Sequence, residues 1–218
     1  KGVKMEKKVK IEIGEEAAEG LGSYGKKKQV GTLGKLGIIS VNGNKISTTG
    51  GGGVILTKNK TLAIKAKHFS TTAKVIKGYN LVHDQIGYNY RISNISSALG
   101  CAQMENLKKI LSLKRKLFIK YYENIRKNSI VKLLKEPKNS KSNYWLQTLI
   151  LDHKNISSKN KLIKAEHNSK IFMRPAWKLI SELGPYKKKQ KMNLEGAREI
   201  YNRVINLPSS QSLIGKIK

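Results

Sequence analysis

Glycines recur so closely between residues 20 and 53 that this stretch cannot form a helix. Glycine costs a helix about 1 kcal/mol relative to alanine and favours turns instead. Two apolar runs lie among the glycines, and their length and composition predict a buried strand over Leu36–Val41 and another apolar strand over Gly53–Thr57. The stretch therefore predicts strands joined by tight turns. Its glycines are Gly20, Gly22, Gly25, Gly31, Gly34, Gly37, Gly43 and Gly50–Gly53.

The polar loop between these two strands contains one lysine, Lys45. It follows Asn42, Gly43 and Asn44 and precedes a Thr-Thr pair and four consecutive glycines. A lysine amine becomes a useful nucleophile in a polar, partly enclosed site, and small neighbours leave room for a planar ring. Hydroxyls and backbone N–H groups nearby suit a phosphate. Spacing alone permits this chemistry, but in so Lys-rich a chain it favours an exposed surface lysine.

Other catalytic and metal-binding patterns are missing from the sequence. Cys101 lies in an apolar helical stretch, where packing is its expected role. The glycine run lacks the Lys-Ser/Thr ending of a P-loop, and there is no Gly-x-Ser-x-Gly turn. The histidines have no partner at the spacing of metal ligands, so we expect no metal site. They are His68, His83, His153 and His167.

Strands and helices alternate along the rest of the chain, which favours an α/β or α+β fold. The longest predicted helix runs from Asn94 to about Lys127, where apolar residues recur at three- and four-residue steps. A short strand over Val9–Ile13 is expected to lead into a turn and a helical stub over Glu15–Glu19. The remaining predictions are helices over Thr61–His68, Ser157–His167 and Leu194–Arg203, and strands over Tyr144–Leu151 and Lys170–Met173.

Composition bears on partners rather than on fold. The formal net charge of +30 suits a polyanion such as a nucleic acid, an anionic membrane or a phosphorylated substrate. The basic residues are mostly lysines and are scattered, whereas base reading favours bidentate arginine, so we expect no nucleic-acid partner. No apolar run approaches the ~20 residues of a membrane helix. A single cysteine fits a cytoplasmic location.

Six stretches spread over the chain form a specific combination. They are EEAAEGLGS, VGTLGKLGIISVNGNK, ISTTGGGG, HDQIGYNYRISNISSALGCAQMENL, MRPAWKLISELGPY and INLPSS. Together they resemble the DegT/DnrJ/EryC1/StrS family of sugar aminotransferases, which depend on pyridoxal 5'-phosphate (PLP). The resemblance implies an α/β chain with the type I (aspartate aminotransferase-like) fold. Residues 1–92 would be the C-terminal part of the PLP-binding large domain, 93–127 a connecting helix, and 128–218 a small α/β C-terminal domain.

The resemblance also implies an activity. The stretches HFSTTAKV and HDQIGYNYR are similar to the branch acting at C4 of UDP-linked 4-keto-6-deoxy amino sugars, in the bacillosamine and legionaminic acid pathways of bacterial surface-glycan biosynthesis. The expected reaction transfers an amino group from glutamate to such a keto-sugar, in a homodimer with shared sites. Family members are longer, so a missing N-terminal half is the other expected partner. Two alternatives remain, a non-catalytic remnant of such an enzyme and a basic nucleic-acid-binding module.

Cofactor residues follow from the same resemblance, position by position. Lys45 matches the lysine that binds PLP covalently and later moves the proton between cofactor and substrate. Ser40 matches the serine that binds the cofactor phosphate. Asn89 and Arg91 match the loop that reaches into the neighbouring subunit's site near that phosphate. Glu16 matches the acid beneath the pyridine nitrogen.

The last of these positions departs from the family, because the acid is normally Asp. Glu16 keeps the carboxylate but moves its oxygens by roughly a bond length, and a misplacement near 1 Å can cost ~100-fold in rate. We therefore expect either an adjusted backbone or impaired activity. On the substrate side, the resemblance implies that Asn42 and Asn44 line the pocket and that Arg174 and Trp177 face the substrate.

Overall fold

The computed structural model describes residues 11–215 and divides the chain into two compact units. Unit 1 comprises the residues up to Leu111 together with Pro137–Asn143. Unit 2 comprises Ser112–Glu136 and the residues from Tyr144 onward. The boundary after residue 111 falls inside one helix, Leu107–Ile125.

Unit 1 is built on a three-stranded sheet in the order β1–β4–β5. Strand β1 (Gly14–Glu16) runs parallel to β4 (Leu36–Ser40), and β5 (Gly53–Leu56) runs antiparallel to β4. Gly37 makes this packing possible, because a Cβ atom there would overlap the carbonyl oxygen of Gly31. Because Gly37 has no side chain, the loop that contains Gly31 can lie directly against β4.

A second small sheet of unit 1 joins distant parts of the sequence. The hairpin of β2 (Tyr24–Gly25) and β3 (Lys28–Gln29) pairs through β2 with β9 (Ser140–Lys141). The other elements of unit 1 are the helices α1 (Lys60–Ser70) and α2 (Asn94–Glu105) and the hairpin of β6 (Lys74–Lys77) and β7 (Asn80–His83).

Unit 2 packs helices on an antiparallel sheet in the order β11–β12–β10–β8. The central strand β10 alternates buried and half-buried residues, as expected for a strand with one covered face. Its core includes Phe118, Leu149 and Ile205. The strands are β8 (Val131–Leu133), β10 (Gln147–Leu151), β11 (Arg174–Pro175) and β12 (Val204–Leu207), and the helices are α3 (Leu107–Ile125), α4 (Lys159–Asn168) and α5 (Glu195–Arg203), with short 3-10 helices at His153–Ser158, Ile180–Glu182, Gly184–Tyr186 and Gln211–Gly215.

The long helix predicted from Asn94 to Lys127 is two helices, α2 and α3, separated at Asn106. The Asn106 side chain donates to the carbonyl of Ala102 at 2.9 Å, and its backbone N–H bonds the carbonyls of Ala102 and Met104. Asparagine competes in this way with helical hydrogen bonding. The apolar periodicity continues on both sides of Asn106, so the sequence pattern predicts one uninterrupted helix.

Three local predictions also differ from the structure. Glu15 and Glu16 belong to β1 rather than to a helical stub, because the strand pairs with β4. The short strand near residue 173 begins at Arg174, opposite β12, rather than covering Lys170–Met173. The strand predicted over Val9–Ile13 lies partly outside the described residues, and residues 11–13 are not in a strand.

Candidate functional site

The loop between β4 and β5, residues 41–52, folds back on itself and is called the Lys45 loop here. The N–H of Val41 donates to the carbonyl of Gly52 at 3.1 Å, and the N–H of Thr49 donates to that of Val41 at 2.9 Å. Ile46 and Ser47 in its centre are buried. The centre of the loop is therefore packed, whereas residues 42–44 and 50–52 are exposed.

Lys45 is largely enclosed by this loop. Its side chain is 13% exposed, and its Nζ forms an ion pair with Oε1 of Glu19. Lys35, which pairs with Glu12 in the same unit, has a side chain that is 40% exposed. The comparison excludes the alternative in which Lys45 is an ordinary surface lysine.

Two acids at the end of β1 have separate tasks. The carboxylate of Glu15 accepts hydrogen bonds from the backbone N–H of Gly31 at 2.8 Å and from those of Leu33 and Gly34, so it holds the turn before β4. Glu16 is exposed, and its Oε1 accepts only a local bond from the N–H of Ala18 among the hydrogen bonds described for residues 11–215. Glu16 is thus the acid available to a ligand.

The parallel pairing of β1 and β4 brings three predicted site residues to one sheet edge. Glu16 is the last residue of β1 and Ser40 the last of β4, and the carboxyl ends of parallel strands share an edge. The backbone N–H of Ser40 donates to the carbonyl of Ala18, in the turn after Glu16, at 3.3 Å. Lys45 follows Ser40 by five residues and turns back to Glu19. This edge carries an amine, a hydroxyl and a carboxylate.

The two asparagines of the loop are exposed. The side-chain oxygen of Asn42 accepts a bond from the N–H of Gly43 at 2.8 Å, and the carbonyl of Asn42 accepts from the N–H of Lys45 at 3.0 Å. Asn42 therefore shapes the turn that precedes the lysine. Helix α2 closes the loop at Thr49, because a Cβ on Gly100 would come within 2.9 Å of the Thr49 methyl group.

Asn89 and Arg91 lie on an exposed segment that is fixed to the end of α1. The N–H groups of Tyr88 and Tyr90 donate to the carbonyls of Phe69 and Ser70 at 2.7 and 2.9 Å. Within residues 11–215, the hydrogen bonds described for this segment run toward α1 and the residues after it, and none reaches the Lys45 loop. The chain alone does not join these two residues to the lysine.

Arg174 and Trp177 belong to unit 2, whereas Lys45 belongs to unit 1. Arg174 lies in β11 opposite Asn206 and is exposed. The Trp177 side chain is 67% exposed and stacks on Trp145, with ring centroids 5.9 Å apart. An exposed indole face of this kind offers a surface for another flat ring.

Sequence reasoning assigned no role to two charged residues that the structure makes prominent. Glu19 is one, and the sequence feature that could have identified it is an acid three residues after Glu16 in a turn. Lys114 is the other; its Nζ donates to the carbonyls of Trp145, at 2.8 Å, and Ser209. Burial lowers the pKa of Lys114 to about 8. Its signal was a lysine four residues after Ile110 on the apolar face of the helix.

Two further kinds of site were sought across residues 11–215. No group of three or more His, Cys, Asp and Glu side chains is placed to hold a metal ion there. Among the same residues, every helix is too short or too polar to cross a membrane.

Comparison with known proteins gives the class. The chain belongs to the DegT/DnrJ/EryC1/StrS aminotransferase family, whose model matches residues 3–216. The resemblance drawn from the six sequence stretches is thereby confirmed. Members of this family are sugar aminotransferases.

Two curated relatives show how much of such an enzyme the chain represents. It is 35% identical over 218 residues to the GDP-perosamine synthase of Escherichia coli O157:H7, covering 97% of this chain and 56% of the relative. It is 28% identical over 211 residues to the UDP-4-amino-4,6-dideoxy-N-acetyl-beta-L-altrosamine transaminase of Campylobacter jejuni subsp. jejuni serotype O:23/36, covering 96% of this chain and 56% of the relative. The chain thus spans a little over half of each relative.

Solved structures confirm the predicted fold class. The aminotransferase PseC of Helicobacter pylori, involved in pseudoaminic acid biosynthesis, matches with a TM-score of 0.92 at 24% identity. The match covers 98% of this chain and 59% of PseC. The fold is therefore that of a sugar aminotransferase, represented in part.

Proposed function

We propose that this chain carries the cofactor lysine of a PLP-dependent aminotransferase that acts on a nucleotide-linked keto-sugar. The observation that carries the proposal is the enclosure of Lys45 at the sheet edge shared by Glu16 and Ser40. Membership of the aminotransferase family supports it. The finer proposal is a UDP-linked 4-keto-6-deoxy sugar as amino acceptor and glutamate as donor, in bacterial surface-glycan biosynthesis.

The residues at this edge fit the chemical needs of PLP. The cofactor needs an amine for its aldehyde carbon, an acid for its pyridine nitrogen and donors for its phosphate. Lys45, Glu16 and Ser40 provide these three groups, and the backbone N–H groups of the glycine-rich loop add further donors. When bound, the ring withdraws electrons from the carbon that gains or loses the amino group.

The side chains of the chain itself then have separate tasks. Glu19 orients the Nζ of Lys45, because its carboxylate accepts a hydrogen bond from that nitrogen. With the cofactor bound, the Nζ of Lys45 would accept and return a proton. The Glu16 carboxylate would hold a proton at the pyridine nitrogen. Glu15 acts on none of these atoms and keeps the turn before β4 in place.

The nucleotide remains the open part of the proposal, since one relative is named for a GDP sugar and the other for a UDP sugar. The stretches at residues 68–75 and 83–91 favour UDP. Arg174 and Trp177 would meet the nucleotide, with the cation on phosphate and the exposed indole on the base. Inhibition of the amino transfer by UDP at concentrations where GDP has no effect would support this choice.

A second copy of the chain is the proposed partner. The hairpin β6–β7 and the segment after it expose large apolar side chains, which monomers rarely leave uncovered in such number. Sedimentation equilibrium that gives the mass of a dimer would support the proposal, and a monomer at all concentrations would contradict it. The exposed residues are Ile76, Tyr79, Leu81, Ile86, Tyr88, Tyr90, Ile92 and Ile95.

Covalent trapping tests the enzymatic proposal. The purified chain is mixed with PLP, reduced with borohydride, digested and mapped by mass. We expect one phosphopyridoxyl group on Lys45. Lys35→Ala serves as the matched control, because Lys35 is also paired with a glutamate but is more exposed. The adduct should persist in Lys35→Ala and disappear in Lys45→Ala.

The alternative of a non-catalytic remnant predicts a different map. Label spread over many surface lysines, with no preference for Lys45, would mean that the pocket does not form in this chain. The nucleic-acid alternative predicts duplex binding that weakens steeply with salt. Either result would contradict the proposed function.

A further inference from the structure

Unit 1 contains a concave site that shares no residue with the Lys45 loop. It is a cavity of about 710 Å³ between the β2–β3 hairpin and β9. Its volume lies within the roughly 300–1,000 Å³ typical of small-molecule sites. The residues lining it are Tyr24, Lys26, Lys27, Asn139, Ser140 and Lys141.

The surface of this cavity is mostly apolar, although three of its six lining residues are lysines and one is a tyrosine. It contains three lysines and no carboxylate, and none of these lysines belongs to an ion pair within residues 11–215. The strand register places Tyr24 directly opposite Lys141 on one face of the small sheet. An aromatic ring beside several cations suits a ligand with a flat base and phosphate groups.

The two lysines of the hairpin turn have a strained backbone conformation. Lys26 and Lys27 connect β2 to β3 as a two-residue loop, and both have positive φ, 49° and 67°. Such turns favour Asn-Gly, because side chains other than glycine are strained in this region by about 1–2 kcal/mol per residue. Asn139 on the opposite wall also has positive φ, 63°. Strain that clusters around one cavity is a reason to look for a binding role.

The two walls are held together by main-chain and side-chain bonds. The N–H of Lys26 donates to the carbonyl of Asn139 at 2.9 Å. The Asn143 side chain donates to the carbonyls of Glu19 and Leu21, at 2.6 and 2.9 Å. The cavity is therefore fixed within unit 1 by contacts that do not depend on the side chains of its lysines.

We propose that this cavity binds a nucleoside diphosphate, with the base on Tyr24 and the phosphates on Lys26, Lys27 and Lys141. The site is separate from the proposed cofactor site, and ADP is the probe because it is not the nucleotide of the proposed substrates. Binding of ADP and of tripolyphosphate is measured by calorimetry on the full chain. The salt concentration is kept near 0.1 M so that surface charges are screened alike.

A double substitution in the β2–β3 turn removes two lysines and should stabilise the fold, so a loss of binding would not result from misfolding. Lys26→Asn combined with Lys27→Gly installs the favoured turn sequence, so the melting temperature should rise by about 2–4 °C. The same variant should weaken ADP binding at least about tenfold, because two phosphate contacts are lost. Lys58→Gln combined with Lys60→Gln removes the same charge from an exposed region and should leave binding unchanged.

The aromatic contact separates a nucleotide site from a simple anion site. Tyr24→Leu should weaken ADP about tenfold while leaving tripolyphosphate unchanged, and Tyr24→Phe should bind both normally. Equal loss of both ligands in the Lys58/Lys60 control would overturn the proposal, and so would unchanged ADP binding in Tyr24→Leu. Retained ADP binding in Lys45→Ala is expected, which keeps the result independent of the proposed function.

Discussion

Both units of the chain withdraw lysines from most of the solvent, Lys45 in unit 1 and Lys114 and Lys159 in unit 2, and Lys45 and Lys114 have different kinds of partner. Lys45, in the loop after β4, pairs with the carboxylate of Glu19 at an edge that also carries Glu16. Lys114, in α3, donates to the carbonyls of Trp145 and Ser209 and has no carboxylate among the partners described for it. Enclosure alone therefore does not define a catalytic lysine. The groups around the amine do.

The difference follows from where each lysine stands. Lys45 lies at the carboxyl edge of a sheet with a parallel strand pair, where α/β folds place ligands. Lys114 lies on the apolar face of a helix, where its ammonium group ties two segments of unit 2 to that helix. Its lowered pKa, about 8, results from burial. A lowered pKa raises the fraction of free amine, but Lys114 is buried and its Nζ is bound to two backbone carbonyls.

The largest expected difference between the two lysines is in the retention of PLP when each is replaced separately by methionine. Lys45→Met should abolish the retention of PLP after desalting, because the covalent anchor is gone. Lys114→Met should retain PLP as the wild-type chain does. Absorbance of the desalted protein measures both. Loss of PLP in Lys114→Met with an unchanged circular dichroism spectrum would contradict the assignment of PLP binding to Lys45 rather than to Lys114.

Stability should depend on pH through Lys114. In the folded chain its pKa is about 8, whereas an unfolded lysine titrates at 10.5. Between these values the unfolded chain binds more protons, so this residue makes the free energy of unfolding rise with pH from about 8 to 10.5, by up to about 3 kcal/mol. Below pH 8 the burial cost of the charge is fully present.

The measurement is urea unfolding of the wild-type chain and Lys114→Met at pH 7.5 and 10.5. The difference between the two proteins isolates Lys114 from the other lysines. An identical pH dependence in both would contradict the assignment.

Glu15 and Glu16 in β1 also differ in role, because Glu15 stabilises the fold and Glu16 is proposed to contact the cofactor. Glu15→Ala should lower the free energy of unfolding by about 2 kcal/mol, since it removes a carboxylate that accepts from three backbone N–H groups. Glu16→Ala should cost less than about 1 kcal/mol. Hydrogen exchange at the amides of Gly31, Leu33 and Gly34 locates the effect. Equal losses in both variants would show that the two acids are not divided in this way.

The smallest expected effect concerns Glu19. Glu19→Ala should reduce the labelling of Lys45 relative to Lys35 about tenfold, because the amine loses the acceptor that orients it. Glu19→Gln should restore most of the preference, since an amide oxygen also accepts a hydrogen bond. Glu12→Gln, at the partner of Lys35, is the control. If Glu19→Gln labels as poorly as Glu19→Ala, the charge rather than the position matters.

The sequence predicted those parts of the molecule that depend on local patterns. The strands around the Lys45 loop and the helix at α1 follow from apolar runs and glycine positions, and the family follows from the six stretches. The break at Asn106 escaped because its cause is a single side chain competing with the helix. The turn of Glu15 was missed because its bonds reach 16 to 19 residues along the chain.

Charged residues were the hardest to interpret from the sequence. With 44 Lys and Arg residues, neither Lys45 nor Lys114 differs from its neighbours by type. Their enclosure depends on contacts between distant segments, such as Lys114 with Ser209. The roles proposed for Asn89, Arg91, Arg174 and Trp177 rest on resemblance and remain predictions.

The most direct test of the central claim is the ratio of phosphopyridoxyl groups on Lys45 and Lys114 after borohydride reduction at pH 8. The pKa of Lys114 is lowered by burial to about 8, so a substantial fraction of its amine is free at that pH and deprotonation alone would permit its labelling. We predict that Lys45 carries nearly all of the label and Lys114 none. Label on Lys114, or label spread evenly over the lysines, would show that the groups around Lys45 do not select it for the cofactor.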